Sequence, residues 1–256
     1  MKSVPQQVLA EFIGTLALVF IGAGSVAVLG FNGPNVIAVI GIALAHGLVL
    51  AIMVSNFGHI SGGHFNPAVT VGTWVVGKIE TGRAGVYILA QLVGGAAGAG
   101  ILRYVLPEQI WKQTKLGSTL VSHNFGISNG KALVIEALLT FFLVITVFAV
   151  AVDDRGAFKS IAGLPIGLVL TFDILMGGVL TGGSMNPARS FGPALVSGTW
   201  TDFWVYVIGP LGGAVIAAAV YWFAYLRDRE VSAQREEVPI GGGPEEDLPM
   251  SPGSPE

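Results

Sequence analysis

Charged positions are so unevenly spread along this chain that their absence marks out its elements. No Asp, Glu, Lys or Arg occurs between Glu11 and Lys78, between Arg83 and Arg103, or between Asp202 and Arg227. A helix crossing a hydrocarbon core roughly 30 Å thick needs about 20 apolar residues. Six stretches meet that length, at 8–29, 36–54, 85–105, 132–152, 161–180 and 203–225. The first is too long for a signal peptide and lacks a small-residue cleavage site, so it is expected to be a true span. Two further apolar stretches, 66–77 and 186–197, cover only half a bilayer as helix. Each opens on Asn-Pro-Ala, at Asn66-Pro67-Ala68 and Asn186-Pro187-Ala188. Asn is a good N-cap, and Pro suits the first helical position, where its fixed φ and missing N–H cost nothing. The pattern therefore predicts two half-helices.

The duplication extends further. Glu11 with Thr15 returns as Glu136 with Thr140, Gly62 to Ala68 as Gly182 to Ala188, and Gly94-Gly95-Ala96 as Gly212-Gly213-Ala214, at offsets of 125, 120 and 118 residues. Three spans per half is an odd number, so the second half inserts upside down relative to the first. The half-helices then enter from opposite faces and meet, N-termini inward, near the midplane. The expected organisation is a first repeat over 1–105 with half-helix 66–77, an extracellular linker over 106–131, and a second repeat over 132–225 with half-helix 186–197. A tail over 226–256, rich in Glu, Pro, Gly and Ser, is expected to be disordered. Lys2, Lys78, Arg83, Arg155, Lys159, Arg227, Arg229 and Arg235 fall on one side, against Lys112, Lys115 and Lys131 on the other. That excess predicts both termini on the cytoplasmic side.

Composition agrees with a multi-pass integral membrane protein. Hydrophobic residues make up 52% of the chain and charged ones 11%, against roughly 25% charged in soluble domains. A formal net charge of −3 excludes the basic footprint of a nucleic-acid binder. The absence of cysteine removes disulfides and thiolate metal sites. The 37 glycines are about twice the average share. They suit close helix packing, as at Gly94 with Gly98 and Gly209 with Gly213, or backbone exposed inside the membrane. No nucleophile elbow, phosphate loop, water-flanking carboxylate pair or metal-ligand spacing is present, so no enzyme activity, cofactor or metal is expected.

The segments HISGGHFNPAVT at 59–70 and GGSMNPARSFGPAL at 182–195, with Glu11 and Glu136 on the first and fourth spans, resemble the aquaporin (major intrinsic protein) family over residues 8–225. The resemblance implies an all-α membrane protein of six transmembrane helices and two re-entrant half-helices, one pore per chain, assembled as a homotetramer in a lipid bilayer such as the plasma membrane. Pores of this type select by diameter, by lining donors and by half-helix dipoles. The residues here suit that chemistry. Each half-helix N-terminus carries roughly +0.5 of a charge, so two of them opposed repel cations but not neutral solutes. Asn66 and Asn186 can each cap their own helix through the amide oxygen and offer the NH₂ to a lumen. Arg189, in an otherwise apolar segment, supplies a fixed cation with five donors.

The family's pattern also implies roles for particular positions. Gly62, Gly63, His64 and Phe65, and Gly182, Ser184 and Met185, would present a ladder of backbone carbonyls along the pore. Glu11 and Glu136 would brace the two pore loops by accepting from their N–H groups. His46, Ile174, Gly183 and Arg189 would form the outer selectivity filter. His59 and His64 are assigned to loop structure, His123 is considered as a partner of Arg189, and Asp173 is expected to be a buried carboxylate with satisfied hydrogen bonds. A filter of His46 with Ile174 and Gly183 is similar to that of ammonia- and peroxide-permeable members such as tonoplast intrinsic proteins. The leading expectation is thus a passive channel for water and small neutral solutes. A glycerol facilitator is one alternative, disfavoured by Ser190, since glycerol-conducting relatives typically carry Asp there. A coupled secondary transporter, which also uses inverted repeats, is another.

Overall fold

The computed structural model describes residues 3–33, 35–155 and 159–227. Six long apolar helices are present among them: α1 (Val4–Leu29), α2 (Val36–Ser61), α4 (Thr81–Val105), α6 (Asn129–Val152), α7 (Gly163–Thr181) and α9 (Val205–Leu226). Two half-helices, α3 (Pro67–Val75) and α8 (Pro187–Ser197), follow α2 and α7, and a short helix α5 (Glu108–Thr114) opens the linker. Of the tail expected over 226–256, all but Leu226 and Arg227 lies outside the described residues.

Local chemistry sets the boundaries. Helix α2 runs seven residues beyond the apolar stretch, through polar Ser55, Asn56, His59 and Ser61. Helix geometry tolerates that loss of hydropathy until Gly62 takes a left-handed φ of 94° and ends it. Helix α7 ends in the same way on Gly182, φ 89°. Half-helix α3 stops at Val75, short of the expected 77, because Gly77 turns left-handed at φ 75°.

The spans pack as two interlocked halves. Helix α1 lies along α4 and α6 along α9, while α2 and α7 pair between the halves. Each third span also holds the opposite half's half-helix, α4 against α8 and α9 against α3. Glycines permit these approaches. A Cβ on Gly98 would lie 2.7 Å from Leu16 O, and one on Gly95 2.6 Å from Ala188 O. Contacts also correct the register of the repeat. Gly94 abuts Phe12 O and Gly213 abuts Ala137 O. Likewise Tyr87 OH donates to Ser61 O at 2.9 Å, as Tyr206 OH does to Thr181 O at 2.7 Å. The third spans therefore correspond at an offset of 119 residues rather than 118, because the glycine triplets align one residue out of step with the contacts.

The outer surface is apolar in the reverse of the soluble pattern. Ile37, Leu48, Ile52, Leu89, Leu168, Phe172 and Ile216 are all exposed, while Glu11, Glu136 and Arg189 are buried. Such a surface belongs in lipid, with polar backbone satisfied inside helices and the irregular segments enclosed by protein.

Candidate functional site

The site grows from the two loops that precede the half-helices. In each, a left-handed glycine pair, Gly62-Gly63 and Gly182-Gly183, is followed by a residue with a side chain in the same region, Phe65 at φ 49° and Met185 at φ 52°. Left-handed backbone at a bulky residue costs on the order of 1–3 kcal/mol. Both side chains are fully buried, and the Phe65 ring occupies the space that a side chain on Gly14 would need.

The buried carboxylates hold this backbone. Glu11 Oε1 accepts from Ser61 Oγ at 2.6 Å and His64 N at 3.0 Å, and Oε2 accepts from Phe65 N at 2.6 Å and Gln91 Nε2 at 2.8 Å. Glu136 Oε1 accepts from Thr181 Oγ1 at 2.6 Å and Ser184 N at 3.0 Å, and Oε2 from Met185 N at 2.9 Å.

Asn66 caps α3, its Oδ1 accepting from Ala68 N at 2.8 Å. Asn186 caps α8 twice over, accepting from Ala188 N at 2.9 Å and Arg189 N at 3.1 Å. Their amide nitrogens are less free than the sequence suggests. Asn66 Nδ2 donates to Met185 O at 2.8 Å and Asn186 Nδ2 donates to Phe65 O at 2.9 Å. One N–H of each remains, and the Phe65 and Met185 carbonyls each retain a lone pair.

Around this junction runs a narrow lumen lined by Gly62, Gly63, His64, Asn66, Ser184, Met185 and Asn186, with Leu50, Val69, Leu143 and Ile166 as an apolar wall. Its space for water centres is about 30 Å³, enough for about two molecules. On the side of the linker it widens to a vestibule of about 410 Å³, lined by Ile174, Gly178, Gly182, Phe31, Phe125 and Ser122. Arg189 lines both spaces.

Arg189 is tied from two directions. Its guanidinium donates to Gly117 O at 2.8 Å and to His46 Nε2 at 3.1 Å from Nη2 and 3.4 Å from Nε. His46 Nδ1 lies 2.9 Å from Ile42 O. That carbonyl requires the proton on Nδ1, so Nε2 is the acceptor for Arg189. Gly22, where a Cβ would sit 2.6 Å from the ring, makes room for the imidazole. Ile174 lines the vestibule rather than the narrow lumen, and a Cβ on Gly183 would touch Ile174 Cγ1 at 3.4 Å.

One possibility raised by the sequence is not realised, and one expectation fails. His123 does not reach Arg189, because its ring nitrogens are taken by Asp202 Oδ2 at 2.8 Å and Ile127 O at 2.9 Å. Asp173 is buried but unsatisfied: neither carboxylate oxygen has a hydrogen-bond partner among the described residues. Its turn of α7 carries apolar Val169 and Leu170 and then Gly177, which faces Leu139 and Ile135. Other groups at the site were not foreseen. Gln91, Ser61, Thr181, Tyr87 and Tyr206 all hold the loops. Carrying the repeat comparison outward from the Asn-Pro-Ala segments at their offset of 120 would have paired Ser61 with Thr181, whereas Tyr87 meets Tyr206 only at the contact-derived offset of 119. The Gly117 carbonyl has no such signal, since it lies in the unduplicated linker.

The profile of the major intrinsic protein family matches residues 1–221. The chain is 43% identical over 220 residues to the maize (Zea mays) aquaporin TIP4-4, covering 84% of each protein. It is 41% identical over 230 residues to mouse (Mus musculus) aquaporin-4, covering 90% of this chain and 70% of that one. Among solved structures, the aquaglyceroporin from Plasmodium falciparum matches with a TM-score of 0.73 at 26% identity, over 86% of this chain and 96% of the other.

Proposed function

This chain belongs to the major intrinsic protein family of aquaporin channels, and on that premise we propose that it conducts water and small neutral solutes, ammonia and hydrogen peroxide among them, while excluding protons and ions. The observation that carries the reading is the reciprocal pair of bonds from Asn66 Nδ2 to Met185 O and from Asn186 Nδ2 to Phe65 O. Those bonds bring two half-helix N-termini together beside the lumen. Their dipoles repel cations there. The remaining N–H of each Asn donates to a passing water, which turns its oxygen inward and interrupts the donor-to-acceptor chain a proton would follow.

The other site residues take supporting roles in this reading. Arg189 is the fixed positive charge at the junction of lumen and vestibule, with His46, Ile174 and Gly183 completing the filter. Carbonyls of Gly62, Gly63, His64, Gly182 and Ser184, with the spare lone pairs of Phe65 and Met185, accept from water along the path. Glu11 and Glu136 brace the loops. The linker faces the exterior and both termini the cytoplasm, following the charge distribution, and four copies assemble in the plasma membrane.

Because the His46 Nε2 is engaged by Arg189 and Ile174 is aliphatic, the filter suits a neutral solute slightly larger or less polar than water. Stopped-flow light scattering on purified protein in liposomes, with osmotic, ammonia and glycerol gradients run separately, tests this. High water flux with ammonia above empty vesicles and slow glycerol is the expected result. No ammonia flux above empty vesicles would refute the solute range, and glycerol as fast as water would favour a facilitator.

A further inference from the structure

The two halves secure their half-helices by different means. In the first, the hydroxyl of Thr70 on α3 meets His64 Nδ1 at 3.1 Å and accepts from Gln91 Nε2 of span α4 at 3.0 Å. In the second, Ser190 on α8 lies 120 residues on and its Oγ meets Ser184 Oγ at 2.6 Å. The residue of α9 that matches Gln91 at the contact-derived offset is Pro210, which has no donor. The linker supplies the missing group instead: Thr119 Oγ1 lies 2.8 Å from Ser190 Oγ.

The three hydroxyls form one buried chain, Ser184 Oγ also lying 3.0 Å from Asn186 O, which can only accept. Thr119, Ser184 and Ser190 are 6%, 2% and 1% exposed, so water does not substitute for a lost link at low cost. Two residues before Thr119, Gly117 O accepts from Arg189. The turn that delivers this carbonyl is left-handed at three successive residues, Lys115 at φ 51°, Leu116 at φ 55° and Gly117 at φ 68°. Backbone in that region persists only where its surroundings hold it.

We propose that Thr119 is a positioning residue of the outer constriction: through Ser190 and Ser184 its hydroxyl fixes the linker on α8, and so the height at which Gly117 O meets Arg189. The linker, rather than a spanning helix, thereby sets the solute cut-off. The inference rests on reading Arg189 with His46, Ile174 and Gly183 as the filter.

Thr119→Val keeps the side chain's shape and removes the hydroxyl. In liposomes it should raise the glycerol-to-water permeability ratio about threefold or more, the scale of one lost hydrogen bond. Thr119→Ser should restore the ratio, and the rise should vanish on an Arg189→Val background, where nothing remains for Gly117 O to hold. An unchanged ratio in Thr119→Val, with Arg189→Val still shifting it, overturns the proposal and leaves the filter standing. An unchanged ratio in Arg189→Val refutes the filter reading and the proposal with it. A Thr119→Val effect that persists on that background shows the linker acting elsewhere, and also overturns the proposal. If Thr119→Val does not fold, Ser190→Ala cuts the same chain one link on, and an unchanged ratio there is equally fatal.

Discussion

Arg189 shows how much one side chain can settle at a constriction. Three of its nitrogens are tied to Gly117 O and His46 Nε2, so the cation is held in place and cannot swing aside to relieve a passing ion. Arg189→Val should remove at least about 1.4 kcal/mol of barrier to small cations, raising their leak about tenfold. A pH-sensitive dye trapped in vesicles under a proton gradient measures it, and background conductance in the variant would show that the charge is not the barrier. A second residue-scale prediction concerns the linker's surface anchor. Asp202 Oδ2 beside His123 holds the imidazole above its usual range, and His123 with Asn129 holds the Asp202 carboxyl below its own. A raised His stabilises below its ordinary value and loses that contribution as pH climbs through the folded value. A lowered Asp stabilises above its ordinary value and loses it as pH falls through the depressed one. Hydrogen-exchange protection over 121–128, taken relative to the intrinsic base-catalysed rate, should therefore be greatest between those two limits and fall on the alkaline side. His123→Ala should abolish that alkaline dependence.

At the scale of elements, each pore loop is tied to a first span by one carboxylate, and the two ties differ in strength. Glu11 gathers four donors and Glu136 three. An amide keeps one acceptor oxygen and turns an NH₂ toward donors it cannot pair with, at about 1–3 kcal/mol for each N–H left unsatisfied. Glu136→Gln should lower folded yield in detergent more than it lowers flux per folded molecule, and Glu11→Gln should lower yield further, as size-exclusion recovery would report. Normal yield with abolished flux would instead put Glu136 on the conducting path. Packing gives a further test: Gly95→Val drives a side chain into Ala188 O, and should unseat α8 at a cost of about 1–3 kcal/mol from overpacking. The elements themselves were legible in the sequence because hydropathy and the Asn-Pro-Ala caps are local signals. The six spans and both half-helices appear around the stretches those signals marked, with the ends of α2 and α3 moved because Gly62 and Gly77, rather than hydropathy, stop the helix. Groups that depend on distant parts of the chain were not legible. Nothing near Gly117 announces that its carbonyl meets Arg189, and nothing near His123 announces Asp202, 79 residues away, as its partner.

At the scale of the whole molecule, inverted halves also occur in carriers that rock between two states. Here the halves are joined at the centre by bonds running both ways, Asn66 to Met185 and Asn186 to Phe65, and the third spans reach across to hold the opposite half-helices. Rocking would break those buried bonds, so water flux should stay proportional to the osmotic gradient and indifferent to sodium or pH gradients across the vesicle. Saturation or coupling would point to a moving carrier. The same central clasp constrains how the protein is made. Asn66 and Phe65 leave the ribosome 119 and 121 residues ahead of the groups that satisfy them, so the first pore loop enters the bilayer with partners not yet synthesised. A nascent chain halted in the linker carries a half-helix without its counterpart, and cellular quality control would meet it as an unfinished protein. Final seating of both loops is then a single event that waits for the second loop to be made.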